Sequence, residues 1–326
     1  MAGDHAPILN PDDAGLARAT ALLREGRLVA VPTETVYGLA ARADSEAAVA
    51  AIYRAKGRPD FNPLIVHVAS REWARRLARL DERAEVLADR YWPGPLTLVL
   101  PARSDAGIAP AVTAGLPTIA LRMPDHPVMR RLLGALDLPL AAPSANRSGE
   151  VSPTSAEHVA GSLGTAIDAV LDGGPCERGL ESTIVALRDD GTWQLLRPGP
   201  IPEAEIADLL GPARPLTNAA IEAPGQLARH YSPGKPLRLN AGEAGEGEYL
   251  IGFGEAVGDC SLSEEGDLAL AAARLYACLH RAAASDRPRI AVAPIPEQGI
   301  GAAINDRLSY AEIQQLLPTI PAEPED

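Results

Sequence analysis

Two cations flanking a glycine are the first residues in this chain whose type and spacing suggest chemistry. Lys56-Gly57-Arg58-Pro59 stands where a helical period over residues 45–56 runs out, and Asn62-Pro63 follows closely. A compact ammonium beside a guanidinium fork suits a phosphate clamp, the first as a point charge and the second as a bidentate partner. Cations at a helix C-terminus are equally what capping produces, so spacing alone leaves both readings open. Ser144-Ala145-Asn146 follows an apolar run. Small hydroxyl and amide groups there suit close approach to a polar ligand, and an ordinary turn has the same composition. Thr33-Glu34-Thr35 offers a carboxylate that could serve as base or metal ligand, or simply be solvated or cap a helix. Glu181-Ser182-Thr183 is a polar turn entering a strand, and Arg197-Pro198-Gly199 holds an arginine that could reach a phosphate or only solvate a rim. His67 sits in an otherwise apolar strand, a pattern more often produced by a satisfied core histidine.

The familiar nucleotide cradles are missing. The chain has no GxxxxGK[ST] and no GxGxxG opening a helix. It also lacks HExxH and GxSxG, so any nucleotide chemistry must use another cradle.

The elements that must position these residues alternate. Helical periods cover 12–26, 45–56, 72–80, 81–91, 126–136, 155–163 and 203–210. Apolar strand runs cover 28–32, 63–68, 96–100, 118–122, 138–142, 169–171, 183–187 and 193–197. The rhythm is not strictly βαβ, which predicts a twisted mixed α/β sheet with helices packed on it. Residues 211–235 are rich in Pro and Gly and read as a linker that carries His230-Tyr231-Ser232-Pro233. A smaller α/β unit follows, with strands at 249–253 and 289–293 and helices at 268–284 and 302–308. The expected division is 1–210, 211–235 and 236–326.

Composition narrows the class. The 326 residues are enough for two domains at roughly 100–200 residues each. Thirty basic against 43 acidic residues give a net charge of −13, which argues against a protein whose main task is gripping nucleic acid. No apolar run reaches the ~18 residues that span a bilayer, and the first residues lack a signal-peptide pattern. Cys176, Cys260 and Cys278 are odd in number and far apart. They support neither a disulfide framework nor a zinc site, and point to the reducing cytosol. Only two lysines occur, Lys56 and Lys235, in an arginine-rich chain. A lysine that persists in the Lys56 motif suits a site needing an ammonium rather than a guanidinium, whereas Lys235 is expected to be solvated.

Taken in order, these motifs resemble a known family. Lys56-Gly57-Arg58 with Ser144-Ala145-Asn146 is similar to the K-x-R…S-x-N signature of YrdC-like proteins. PTETVYGLA at 32–40, NPLIVHV at 62–68, WPGPLT at 92–97, ESTIV at 181–185 and RPG at 197–199 agree. So do PGQLARHYSPGKPL at 224–237 and APIPEQGIGAAINDRL at 293–308. The whole set resembles the long, two-domain form of the L-threonylcarbamoyladenylate synthases. The resemblance implies a twisted YrdC-like domain with a cationic cavity, then a smaller Rossmann-like domain joined by a linker across the mouth. It implies synthesis of threonylcarbamoyl-AMP from L-threonine, bicarbonate and ATP with release of pyrophosphate, feeding tRNA modification beside the anticodon. Position by position, it implies that Lys56, Arg58, Asn62, Thr118, Ser144, Asn146, Ser152 and Arg197 contact ATP, with Lys56 and Arg58 catalytic. Thr35, His67, Arg122 and Ser182 would contact threonine, and His230 and Tyr231 would cover the nucleotide. Mg2+ would bridge phosphate oxygens, with no metal ligand from the protein. The expected partners are these small molecules and a downstream tRNA threonylcarbamoyltransferase machinery, in the cytoplasm, with no membrane and at most weak tRNA binding. The alternative is a YrdC-like module that binds RNA without catalysis.

Overall fold

The computed structural model describes residues 5–216, 222–224 and 230–313. Its larger part is a ten-stranded mixed sheet. In spatial order the strands are Ile8–Leu9, Ala169–Leu171, Val29–Val31, Gly38–Arg42, Leu140–Ala141, Ile65–His67, Thr118–Arg122, Leu96–Pro101, Thr183–Leu187 and Trp193–Arg197. The second sheet is four-stranded and wholly parallel, in the order Leu237–Arg238, Arg289–Val292, Glu248–Gly252 and Cys260–Ser261. Helices Leu268–Ala284 and Ile300–Ile313 pack with it.

The period-two alternation of strand side chains explains where a site can form. Val66, Ile119, Leu121, Leu98, Leu100, Val185 and Leu187 point to one face, into a core shared with Ile52, Leu77 and Leu87 of the covering helices. The opposite face receives Ile65, Val99, Ala120, Ile184 and Ala186, a smaller apolar patch that also holds Ala223. Continuing the same alternation, His67, Arg122, Thr97 and Ser182 fall on this second face. His67 is in register with Arg122, and Arg122 with Thr97. A one-residue slip in any of these strands would turn its polar group into the helix-covered core.

Helix starts are fixed by side-chain caps: Asp12 accepts from Gly15 N, Ser45 from Ala48 N and Asp81 from Ala84 N. The structure adds strands that periodicity passed over. Gly38–Arg42 lies inside the PTETVYGLA block and pairs with Val29–Val31 and Leu140–Ala141. Its small residues carry no alternation because both of its faces are buried.

Two expectations are corrected. Cys260 and Cys278 form a disulfide at a sequence separation of 18, joining a strand edge to helix Leu268–Ala284. Sequence distance concealed the pair because the fold returns the helix to the strand; Cys176 alone is free and buried. Lys235 is not simply solvated: its Nζ donates to Ala282 O at 3.0 Å and Ser285 O at 2.6 Å, capping the end of that same helix. Among the described residues no helix is long and apolar enough to cross a membrane.

Candidate active site

Helix Glu46–Lys56 stops because Gly57 takes a left-handed conformation, φ 58°, that few other residues adopt freely. The stop turns Lys56 and Arg58 inward, and each is held by backbone carbonyls. Lys56 Nζ donates to Ser144 O at 2.6 Å and also to Asn146 O. Arg58 donates through Nε to Asn62 O at 3.2 Å and through Nη2 to Pro63 O at 2.9 Å. The KGR and SAN motifs, 88 residues apart in the Lys56–Ser144 pair, are therefore one unit. An ammonium has three donors and a guanidinium five, so both cations keep N–H groups free of these carbonyls. Burial, with the neighbouring Arg58, pushes the Lys56 ammonium well below the ordinary lysine value. Burial brings Arg58 down to about 10. An arriving anion would reverse both effects.

Arg197 ends its strand and turns onto the ESTIV turn. Its Nε and Nη2 donate to Ser182 O at 3.1 and 2.9 Å, and Nη2 reaches Ser182 Oγ at 3.1 Å. Gly199 is what allows the approach: a Cβ there would lie 2.4 Å from Thr183 N and 2.7 Å from Glu181 O. Ser182 Oγ also bonds Thr97 Oγ1 at 2.7 Å. On the other side, Arg122 donates to Glu34 Oε1 at 2.6 Å, while Glu34 Oε2 accepts from Asp125 N at 3.0 Å. Glu34 is thus neither a solvated carboxylate nor a helix cap but the buried partner of Arg122.

These groups converge on one cavity. Of the residues singled out from sequence, Arg58, His67, Arg122, Ser144, Ser182, Arg197 and His230 line it. Thr33, Glu181 and Pro224 line it as well. Sequence reasoning gave Thr33 and Glu181 no ligand role, although both stood in polar turns it had marked. Thr35 lies behind Thr33, fully buried, with the two hydroxyls 2.8 Å apart. Lys56, Asn62 and Asn146 are buried and are not among the lining residues, Thr118 is half-buried at its strand start, and Ser152 and Tyr231 are buried beside Glu181.

Several polar atoms here are buried without a hydrogen-bond partner among the described residues: Asn62 Oδ1, Asn146 Oδ1, His67 Nδ1, His230 Nδ1 and the Tyr231 hydroxyl. Each such group costs about 1–3 kcal/mol unless water or a ligand satisfies it, and of these residues His67 and His230 line the cavity. Burial drives the imidazoles of His67 and His230 down to about 3, so both are neutral at pH 7. The buried charges around the cavity are Lys56, Arg58, Arg122, Arg197 and Arg307 against Glu34 and Glu181. That surplus of positive charge suits an anionic ligand. Neither carboxylate is open to a cation, since Arg122 and Asp125 N occupy Glu34, and Ser152, Tyr276 and Arg307 occupy Glu181. Among the described residues no cluster of His, Cys, Asp or Glu could hold a metal ion.

Comparison with known proteins agrees with this geometry. The family described as "Telomere recombination" (Sua5_yciO_yrdC) matches residues 21–199, and "Threonylcarbamoyl-AMP synthase, C-terminal domain" matches residues 201–311. The threonylcarbamoyl-AMP synthase of Bacillus subtilis is 41% identical over 328 residues, covering 93% of this chain and 94% of that protein. The crystal structure of P. abyssi Sua5 complexed with L-threonine superposes with a TM-score of 0.85 at 37% identity, covering 94% of this chain and 97% of that one. E. coli YciO, at 22% identity and TM-score 0.53, shares the fold over 60% of this chain. With a cation-lined cavity set on one face of the ten-stranded sheet and these matches along nearly its whole length, the chain belongs to the Sua5/YciO/YrdC family.

Proposed function

We propose that this protein synthesises threonylcarbamoyl-AMP from L-threonine, bicarbonate and ATP, releasing pyrophosphate, and so supplies a tRNA-modifying step. The observation that carries this reading is the fixing of Lys56 and Arg58 by backbone carbonyls, which leaves each cation N–H donors beyond those the carbonyls accept.

The chemistry asks for this arrangement. Threonine and bicarbonate condense with loss of water to N-carboxythreonine, whose carbamate oxygen attacks the α-phosphorus of ATP as the bond to pyrophosphate breaks. Both reactants are anions, so catalysis is mostly positioning and charge neutralisation, and no side-chain nucleophile is needed. Arg58, Lys56 and Arg197 would receive the phosphates. Because carbonyls already hold them, little reorganisation is left for the transition state. Asn62, Thr118, Ser144, Asn146 and Ser152 complete the proposed ATP contacts. Arg122 would share its guanidinium between Glu34 and the threonine carboxylate, while neutral His67, Ser182 and Thr35 receive the rest of threonine. His230 and Tyr231 would cover the nucleotide and exclude water from the mixed anhydride. Mg2+ accompanying ATP would supply further neutralisation of the phosphate charge, and no residue of this chain is proposed to hold it.

In domain terms, 1–210 would carry catalysis, 211–235 the cover and 236–326 its support; residues 217–221 and 225–229 of the cover lie outside the described residues. The place proposed for the reaction is the cytoplasm, on the family resemblance and no longer on cysteine pairing, where a tRNA threonylcarbamoyltransferase would consume the product. The RNA-binding alternative is disfavoured because Lys56 and Arg58 are only 3% and 8% exposed, beyond the reach of a nucleic-acid backbone.

The test is pyrophosphate release from ATP with threonine and bicarbonate each present or omitted. Release requiring both, with threonylcarbamoyl-AMP identified by mass, supports the proposal. Release with neither, or none from folded protein, overturns it.

A further inference from the structure

The AAINDRL segment, far from the cavity in sequence, brings one side chain to its wall. Arg307, on helix Ile300–Ile313, is wholly buried. Its Nε donates to Glu181 Oε2 at 2.9 Å, its Nη2 to Pro198 O at 2.9 Å and its Nη1 to Asp306. The guanidinium carbon also lies 5.2 Å from the centre of the Tyr231 ring, a cation–π distance. One side chain from the smaller unit therefore touches the ESTIV turn, the RPG turn and the cover segment together.

Glu181 is the key partner because it lines the cavity. It accepts from Ser152 Oγ at 2.5 Å, from Tyr276 OH at 2.8 Å and from Arg307. An unneutralised carboxylate in this wall would repel the phosphates that Arg58 and Arg197 are placed to receive. Tyr231 needs holding as well. Its φ of 64° is a left-handed conformation that costs a non-glycine residue about 1–3 kcal/mol and persists only where surroundings impose it. Those surroundings are Arg307, the Tyr276 ring stacked at 5.8 Å and the Tyr310 ring edge-on at 6.5 Å, all from the smaller unit. Stability alone is a weak reason for such an arrangement, since apolar packing commonly matches or betters a buried ion pair.

We propose that Arg307 is a positioning residue for the ATP half of the reaction: it neutralises Glu181 in the cavity wall and seats Tyr231, whose neighbour His230 lines the cavity, so that the C-terminal unit completes the nucleotide site. This rests on the function proposed above.

The experiment compares steady-state constants of the full-length wild type, Arg307→Met, Arg307→Met/Glu181→Gln and Tyr276→Phe, with folding checked by circular dichroism. Arg307→Met should raise KM for ATP about 10-fold or more while KM for threonine stays within about 2-fold. The double variant, with both charges gone, should recover most of the ATP KM but not the full kcat, because Tyr231 remains unseated. Tyr276→Phe removes one donor to Glu181 and keeps the ring, so it should raise ATP KM about 3-fold, and it carries the test if Arg307→Met does not fold. A merely structural role lowers the active fraction and leaves both KM values unchanged, which would overturn the inference. Equal loss of ATP and threonine affinity, or a double variant no better than Arg307→Met, would do the same. Wild type lacking threonine- and bicarbonate-dependent pyrophosphate release would instead overturn the function on which the inference rests.

Discussion

Lowering the pH from about 7.5 to about 5.5 should destabilise the folded chain through histidines buried without charge, His67 in the large domain and His230 in the cover. His67 and His230 have folded values near 3, set first by burial and then by neighbouring cations, Arg122 for the one and Arg58, Lys56 and Arg197 for the other. An unfolded imidazole titrates near 6.5. Between the two values the unfolded chain binds more protons than the folded one, so stability rises with pH; it is retained above about 6.5 and lost as pH falls toward 3. Over the two-unit change each histidine should remove about 1.3 kcal/mol, about 2.6 kcal/mol for the pair. The figure depends only on the folded values lying more than about a unit below the assay pH. His67→Asn isolates one contribution, since other titrating groups are common to both proteins. Urea unfolding followed by tryptophan fluorescence reads the right unit, because Trp73, Trp92 and Trp193 all lie in the large part of the chain. The variant's loss between the two pH values should be smaller than wild type's by about 1.3 kcal/mol. A difference below about 0.5 kcal/mol would mean that His67 carries its proton in the folded protein, and the account of a neutral imidazole facing threonine would fail.

Other expectations are as direct. Arg58→Ala should leave the fold intact and cost about 3 kcal/mol of transition-state stabilisation, roughly 100-fold in kcat/KM, and Arg58→Lys should not restore it because a point-charge ammonium lacks the planar fork whose Nε and Nη2 hold Asn62 O and Pro63 O while other N–H groups face outward. Wild-type kcat/KM in either variant would remove Arg58 from the clamp. Gly199→Ala must displace the Glu181–Thr183 backbone, so thermal melting should show a loss of about 2 kcal/mol or more together with weakened threonine binding; an unchanged midpoint would refute the close approach. Opening the Cys260–Cys278 disulfide, by reductant or Cys260→Ser, should cost the smaller unit about 3 kcal/mol, as expected for a short closed loop, and a melting midpoint indifferent to reductant in wild type would refute the pairing.

Much of this was legible in the residues. Apolar runs over 118–122 and 183–187 and the capped helix ending at Lys56 required only local physics: side-chain alternation, caps and a glycine stop. The motifs that would carry chemistry were visible as oddities, polar turns at the ends of apolar strands. Their meaning was not. Cations at a helix end look the same whether they cap the helix or face a phosphate, and the structure shows that Lys56 meets the Ser144 and Asn146 carbonyls rather than those of its own helix. Strand Gly38–Arg42 was passed over because a strand buried on both faces carries no alternation.

What the sequence determined alone was therefore most of the helices and longer strands, the groups able to neutralise an anion, and the ordered motifs that point to the family. What the tertiary structure decided was pairing. Cys260 found Cys278, Glu34 found Arg122, and Glu181 found an arginine 126 residues away. Such pairings depend on which segments the sheet order and the returning helices bring together. A one-dimensional pattern reports the period of each element and carries no information on that register, so long-range charge partners appear only once the chain has closed on itself.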